Sequence, residues 1–238
     1  MCTLEKRGSL HILTITGPGD HRFNPTLIEA IRSALDRIKC EPITSSSALI
    51  TTAEGKFFSN GLDLAWTQSI SSKYLLMLGK YRSLISDLIS LPMPTIAAIN
   101  GHAAAGGLVF ALSHDYVLMR KDRGFLYLSD LDVGIGIPPW GMALIECKVG
   151  KGKALREMVL RAAKMTAKEA GEWGLIDAAY DSAEGAVKAA IGLGEQLVKR
   201  KWDGHVYAQN RMVILREVLD EIESDDTAEG IPRTGSKL

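Results

Sequence analysis

Two glycine-bearing segments have the composition needed to bring backbone N–H groups against a ligand: "KFFSNGLDL" (56–64) and "GHAAAGGLVF" (101–110). Glycine and alanine add little packing. A cluster of them between two apolar runs therefore serves close backbone-on-backbone contact or ligand approach to exposed N–H donors. Both segments follow β-branched apolar stretches, "SALITTA" (47–53) and "TIAAI" (95–99), so both are strand-to-loop junctions. In a parallel sheet such junctions open on one edge, the usual binding crevice. One inward-pointing N–H from each loop could together hold a developing oxyanion.

Other chemistries lack their residues. "GHAAAGG" closes with no Gly-Lys-Ser/Thr and does not fit Gly-x-Gly-x-x-Gly, so it is neither a phosphate loop nor a dinucleotide fingerprint. There is no Gly-x-Ser-x-Gly nucleophile elbow. His11, His21, His102, His114 and His205 are scattered singly and read as structural or surface groups. Cys2, Cys40 and Cys147 form neither a disulfide framework nor a Cys-x-x-Cys metal pair, which fits a reducing compartment and no metal site.

The surrounding elements must position these loops. "SLHILTITG" (9–17) alternates as a strand, and "TLIEAIRSALDRIK" (26–39) carries Leu27, Ile28, Ile31, Leu35 and Ile38 at helical spacing, with Thr26 as its expected cap. Asp63 is placed to cap the helix after the first loop. "SSKYLLMLGKYRSLISDLIS" predicts a long helix that ends at Pro92 and Pro94. "DYVLMR" predicts a strand, "FLYLSDLDVGIGIP" an extended piece, and helices follow to about residue 223, with Val187, Ile191, Leu193 and Val198 along one side of the segment 185–200. Strand–helix–strand order repeated in this way argues for parallel strands joined by crossover helices.

Of the 238 residues, 46% are apolar, and 28 basic residues balance 28 acidic ones. Neutrality gives no global electrostatic case for nucleic acid or anionic membrane. No apolar run approaches a membrane span, and "MCTLEKRGSLHIL" has no hydrophobic signal core, so secretion is not expected. The polar tail ends in Ser236, Lys237 and Leu238, the tripeptide read by the peroxisomal import receptor.

Taken in order and spacing, "KFFSNGLDL", "PMPTIAAINGHAAAGGLVFALSHDYVLM", "LSDLDVGIGIP" and "AKEAGEWGLID" resemble the enoyl-CoA hydratase/isomerase (crotonase) superfamily. The opening "MCTLEKRG", the loop "FFSNGLDLAW" and the terminal tripeptide resemble most closely its plant peroxisomal Δ3,Δ2-enoyl-CoA isomerases. The resemblance implies an α/β fold, a crotonase-like spiral of ββα units over 1–180, with a helical trimerisation region over 181–223 and a targeting tail over 224–238. It implies an acyl-CoA substrate, a homotrimer or hexamer, and no cofactor beyond the coenzyme A that arrives with the substrate.

Residue by residue, the resemblance puts the two oxyanion-hole N–H groups on Leu62 and Gly106. It puts substrate or coenzyme A contacts on Ser59, Asn60, Gly61, Leu62, Asp63, Gly106 and Ser129. Hydratases of the family carry two glutamates. One position matches Val109, which moves no proton, and the other matches Asp130, shorter than the usual glutamate by a methylene. Water addition is naturally served by two carboxylates. Moving a double bond needs one base that lifts a proton from one carbon and returns it two carbons away. One carboxylate therefore favours isomerisation of 3-enoyl-CoA to 2-trans-enoyl-CoA, with Asp130 as the shuttle. Asp132 is the rival base, since strand alternation would put both aspartates on one face. Same-fold hydratase or thioester hydrolase activity, or acyl-CoA binding without turnover, are the alternatives. Lys56 and the "HRF" segment (21–23) are candidates for the coenzyme A phosphates, and Trp66, Tyr74, Leu75, Met77 and Leu78 for an acyl tunnel.

Overall fold

In the computed structural model, residues 1–17, 19–41 and 46–224 are described. The alternating segment near the N-terminus forms β2 (Leu10–Ile15). Before it runs β1 (Cys2–Arg7), an antiparallel edge strand whose outward side is polar. The helical spacing of 26–39 becomes α1 (Pro25–Lys39), with Leu27, Ile28, Ile31, Ala34, Leu35 and Ile38 buried. Its cap is not Thr26. Pro25 occupies the first helical turn, where its missing N–H costs nothing, and the Asn24 side chain accepts from Leu27 N at 3.0 Å.

The chain then repeats one pattern. β3 (Ala48–Ala53), β5 (Thr95–Ile99) and β7 (Tyr116–Arg120) enter a six-stranded sheet of order β1-β2-β3-β5-β7-β9, which β9 (Ala178–Tyr180) completes. All of its pairings after β1–β2 are parallel. After each of those three strands comes a short one, β4 (Phe57–Ser59), β6 (His102–Ala104) or β8 (Leu126–Tyr127). The short strands build a second, parallel sheet of order β4-β6-β8. Helices close the turns: α2 (Leu64–Thr67) and α3 (Ser71–Ile89), then α4 (Gly106–Leu112), then α5 (Pro139–Val149), α6 (Lys153–Arg161) and α7 (Ala167–Glu172). The result is the expected spiral of ββα turns.

One core lies between the larger sheet and α1, α3, α4 and α5. The opposite face of that sheet packs on α8 (Ala183–Lys199), where Gly194 sits against Leu10, Ile50 and Ile96. Val187, Ile191, Leu193 and Val198 border this second core as half-buried residues. α9 (Gly204–Ile214) and α10 (Arg216–Ser224) fold back over the spiral, α10 against α5. Arg211 locks them down. Its guanidinium donates to the carbonyls of Ile89, Leu91 and Met93 and to both oxygens of Asp115, at 2.5–2.9 Å. The terminal Ser236, Lys237 and Leu238 lie outside the described residues.

Candidate active site

Three loops converge because the small sheet is parallel. Asn60–Asp63 leaves the end of β4, Ala105 and Gly106 leave β6, and Leu128–Gly134 leaves β8, all at one edge with β6 in the centre. The binding edge therefore belongs to the smaller sheet, whose strands are too short to be read from the sequence. Close contact between the first two loops requires glycine at two places. A Cβ on Gly61 (φ +78°) would lie 3.0 Å from the Ala104 carbonyl and 3.1 Å from Gly106 N. A Cβ on Gly107 would fall 2.1 Å from the Ser59 carbonyl, so α4 can pack on β4 only with glycine there.

The first loop is fixed by backbone bonds to Phe23. Phe23 N donates to Gly61 O at 2.8 Å, and Asp63 N donates to Phe23 O at 2.9 Å. This parallel bridge uses the groups on either side of Leu62 and leaves the Leu62 N–H out of it. Ser59 is buried, with Oγ donating to His21 O at 2.7 Å and accepting from Gly61 N at 3.3 Å. Asp63 caps α2 through Trp66 N at 3.1 Å. Asn60 ties the loop to Asp20 through both its backbone N and its side chain, at 2.9 and 3.1 Å.

The second loop turns at Ala105, whose φ of +47° and ψ of −124° form a backbone region that residues with a Cβ rarely occupy. Ala105 N donates to Tyr127 O at 2.7 Å, which ties this loop to β8. Gly106 follows as the first residue of α4, so its N–H has no acceptor within the helix.

A cavity of about 220 Å³ opens between the loops. Of the residues expected from the sequence, Asn60, Leu62, Gly106, Ser129 and Asp130 line it. Ser59, Gly61 and Asp63 hold the first loop from behind. Val109, from the first turn of α4, faces the same cavity. Asp130 is the only carboxylate among the described lining residues. Its Oδ2 is buried with no hydrogen-bond partner among the described residues, and burial raises its pKa above the ordinary 3.8, opposed by its own backbone N–H.

The segment around Asp130 is not extended beyond Tyr127. Val133 N donates to Ser129 O, Gly134 N to Leu131 O and Ile135 N to Asp130 O, so 130–134 is a turn. Alternation therefore does not apply, and the two aspartates part company. Asp132 is exposed and takes a hydrogen bond from Tyr127 Oη, while Asp130 points inward.

Of the candidate phosphate contacts, Arg22 lines the cavity, whereas His21 is buried with its ring nitrogens against the carbonyls of Phe57 and Gly17. Lys56 lies over the Phe57 ring, 5.5 Å from its centroid. Of the tunnel candidates, Tyr74 and Leu78 line the cavity. Tyr81 and Trp140 line it too and were not singled out from the sequence. Burial and the nearby Asp130 push the Tyr74 hydroxyl up to about 12 and raise that of Tyr81 well above its ordinary value. The buried Trp140 Nε1 has no partner among the described residues.

A spiral of ββα turns, in which two adjacent loops and one half-buried carboxylate border a small cavity, has the crotonase-type architecture. A family model described as enoyl-CoA hydratase/isomerase matches residues 5–225, and the chain belongs to that family. The chain is 53% identical to the protein named "Enoyl-CoA delta isomerase 1, peroxisomal" of Arabidopsis thaliana, over 100% of both chains. It is 51% identical to "Enoyl-CoA delta isomerase 2, peroxisomal" of the same plant, over 92% of this chain and 93% of that one. A solved structure of a probable enoyl-CoA hydratase from Mycobacterium tuberculosis shares the fold, with a TM-score of 0.85, 20% identity and coverage of 94% and 92% of the two chains.

Proposed function

We propose that this protein is a Δ3,Δ2-enoyl-CoA isomerase that converts 3-cis- or 3-trans-enoyl-CoA to the 2-trans isomer during β-oxidation of unsaturated fatty acids. The observation that carries this reading is the single carboxylate. Asp130 is the one carboxylate among the described residues lining the cavity, and Val109 stands where a second acid would be needed to activate water. The names of the half-identical plant relatives support the same reaction.

The thioester oxygen sits between the N–H groups of Leu62 and Gly106. Asp130 removes a proton from C2, and the electrons move into the thioester to give a dienolate, whose charge the two donors stabilise. One such donor contributes roughly 2.7–4 kcal/mol in a dry site. The same carboxyl then returns the proton to C4, which leaves the double bond between C2 and C3. The raised pKa suits this double role, because a carboxylate closer to the operating pH is a better base and gives its proton back readily. The proton shift is redox-neutral, so it calls for no electron acceptor, and coenzyme A enters as part of the substrate.

Peroxisomal import through Ser236, Lys237 and Leu238 and assembly into a homotrimer or hexamer belong to the same proposal. The first is supported by the names of two plant relatives. Among the described residues no helix is long and apolar enough to cross a membrane. The decisive experiment follows formation of the conjugated 2-enoyl thioester from 3-enoyl-CoA, alongside water addition to 2-trans-enoyl-CoA. Isomerisation should dominate, and hydration at a comparable rate overturns the one-base reading.

A further inference from the structure

A donor on glycine is free to move unless something holds it, because glycine populates many backbone conformations at similar energy. Gly106 also follows Ala105, whose backbone is itself strained. The peptide that carries the donor is held at its carbonyl by Leu108 N and Val109 N, at 2.9 and 3.1 Å, and Tyr81, in the middle of α3, adds a side-chain restraint on the glycine itself. It is 2% exposed, and its Oη donates to the Gly106 carbonyl. A Cβ built on Gly106 would meet the Tyr81 Cζ and Oη at 3.5 Å, so the ring stands over the glycine with room for no more than a methyl group between them. The same ring packs on Phe23, centroid to centroid at 5.0 Å, and Phe23 is the residue whose backbone fixes Gly61 and Asp63 on either side of Leu62. On its other side Tyr81 lies 5.9 Å from Trp140, centroid to centroid. One side chain thus touches the supports of both backbone donors.

We propose that Tyr81 is a positioning residue that sets the Gly106 N–H relative to the Leu62 N–H, so that the pair is assembled before the thioester enters. The assignment rests on reading the two N–H groups as an oxyanion hole. Tyr81 acts through the backbone: its hydroxyl adds a second anchor, beside the first turn of α4, to the peptide unit after the donor, and it exchanges no proton with substrate. Without the hydroxyl the first turn of α4 alone anchors the Gly106 carbonyl, so loss of the bond loosens the helix start and leaves the rest of α4 in place.

Tyr81→Phe removes one oxygen and keeps both ring contacts. A donor displaced by a fraction of an ångström weakens dienolate stabilisation far more than ground-state binding, and a shift of about 1 Å costs on the order of 10²-fold. Tyr81→Phe should therefore lower kcat by about 10- to 100-fold with KM little changed, and its melting temperature should stay near that of the wild type. Acetoacetyl-CoA supplies a second readout, since the hole stabilises its enolate, which has its own ultraviolet band. The enolate fraction bound to Tyr81→Phe should fall, while affinity for saturated octanoyl-CoA holds. Tyr81→Leu, which also removes the ring contacts, separates the two roles. If kcat follows the melting temperature across Phe and Leu, or if Tyr81→Phe turns over within about twofold of the wild type, the positioning role is refuted. Failure of the underlying reading looks different: the wild-type protein itself would neither isomerise 3-enoyl-CoA nor enrich the enolate.

Discussion

Asp130→Asn tests catalysis and stability together, because the proposed base faces the cavity while its Oδ2 is buried. Asparagine keeps the shape and most hydrogen-bonding capacity but cannot accept the C2 proton. A positioned acid–base group contributes about 10²–10⁴ in rate, or roughly 2.7–5.4 kcal/mol of transition-state stabilisation. No other described carboxylate lines the cavity, so no group is at hand to substitute, and the loss should fall toward the upper end. Stability should move the other way. Asp130 Oδ2 is a buried acceptor without a partner among the described residues, and burial raises the carboxyl's pKa in the folded protein. Below the ordinary value of 3.8 the group is protonated in both states and costs nothing. As pH rises from there through the folded value, the unfolded chain ionises first, and the native state loses stability. At neutral pH Asp130→Asn should thus be more stable than the wild type, because it removes the cost of the buried charge, and the difference should vanish in acid. The assays are kcat with 3-enoyl-CoA and urea denaturation at several pH values. The wild-type kcat/KM should rise with pH through an apparent pKa above that of a solvated aspartate. A variant that keeps more than about a tenth of wild-type turnover, or that is destabilised at neutral pH, refutes the reasoning. Asp132→Asn should leave turnover near the wild-type value.

Three further outcomes follow from other parts of the molecule. Ala105→Gly relieves a strained backbone worth about 1–3 kcal/mol against a glycine entropy cost of about 0.5–1 kcal/mol; calorimetry should show a gain of up to about 2 kcal/mol, and a lower melting temperature would falsify the strain. Arg211→Met leaves Asp115 and three buried carbonyls without their guanidinium, so urea titration should show a loss of about 3–5 kcal/mol, with α9 and α10 opening to proteolysis first. A fluorescent fusion that leaves Ser236, Lys237 and Leu238 free should be punctate, and one without them diffuse; punctate signal from the shortened protein points to a second address.

The fold was legible where one physical signal dominated. Five apolar residues at helical spacing marked α1, because burial of one face sets that pattern, and β-branched runs marked β3 and β5, which are buried on both faces. β1 was not legible: only Cys2 and Leu4 reach the core, and its remaining residues are polar on an edge strand. The turn at 130–134 misled for a different reason. Apolar and polar residues alternate there as in a strand, yet Leu131 and Val133 are 57% and 53% exposed, so the alternation reflects no buried face. Of the site, the two glycine loops and Asp130 could be read from the order of the family's motifs. Tyr81 could not, because it sits in an apolar helical stripe and is indeed core. Only its hydroxyl, 25 residues from Gly106 in sequence, carries the contact that matters. Nor does an alanine in sequence announce a positive φ, as Ala105 has.

Three locally unfavourable features meet at one place. The strained Ala105 and the Asp130 Oδ2 and Trp140 Nε1 atoms, which have no partner among the described residues, all border one cavity of about 220 Å³. Each costs on the order of 1–3 kcal/mol, a large share of the 5–15 kcal/mol that holds an ordinary domain together. Such a concentration persists only where the surroundings over-determine the geometry. Here those surroundings can be named. The Phe23 backbone clamps the first loop, Tyr127 O holds Ala105 in place, and Arg211 secures α9, which leads into α10 and so to α5, the helix that carries Trp140. A base that must take a proton from carbon cannot also be satisfied by the protein, and a donor aimed at an oxyanion cannot be spent on a carbonyl. The instability gathered around this cavity therefore has the form the proposed reaction requires.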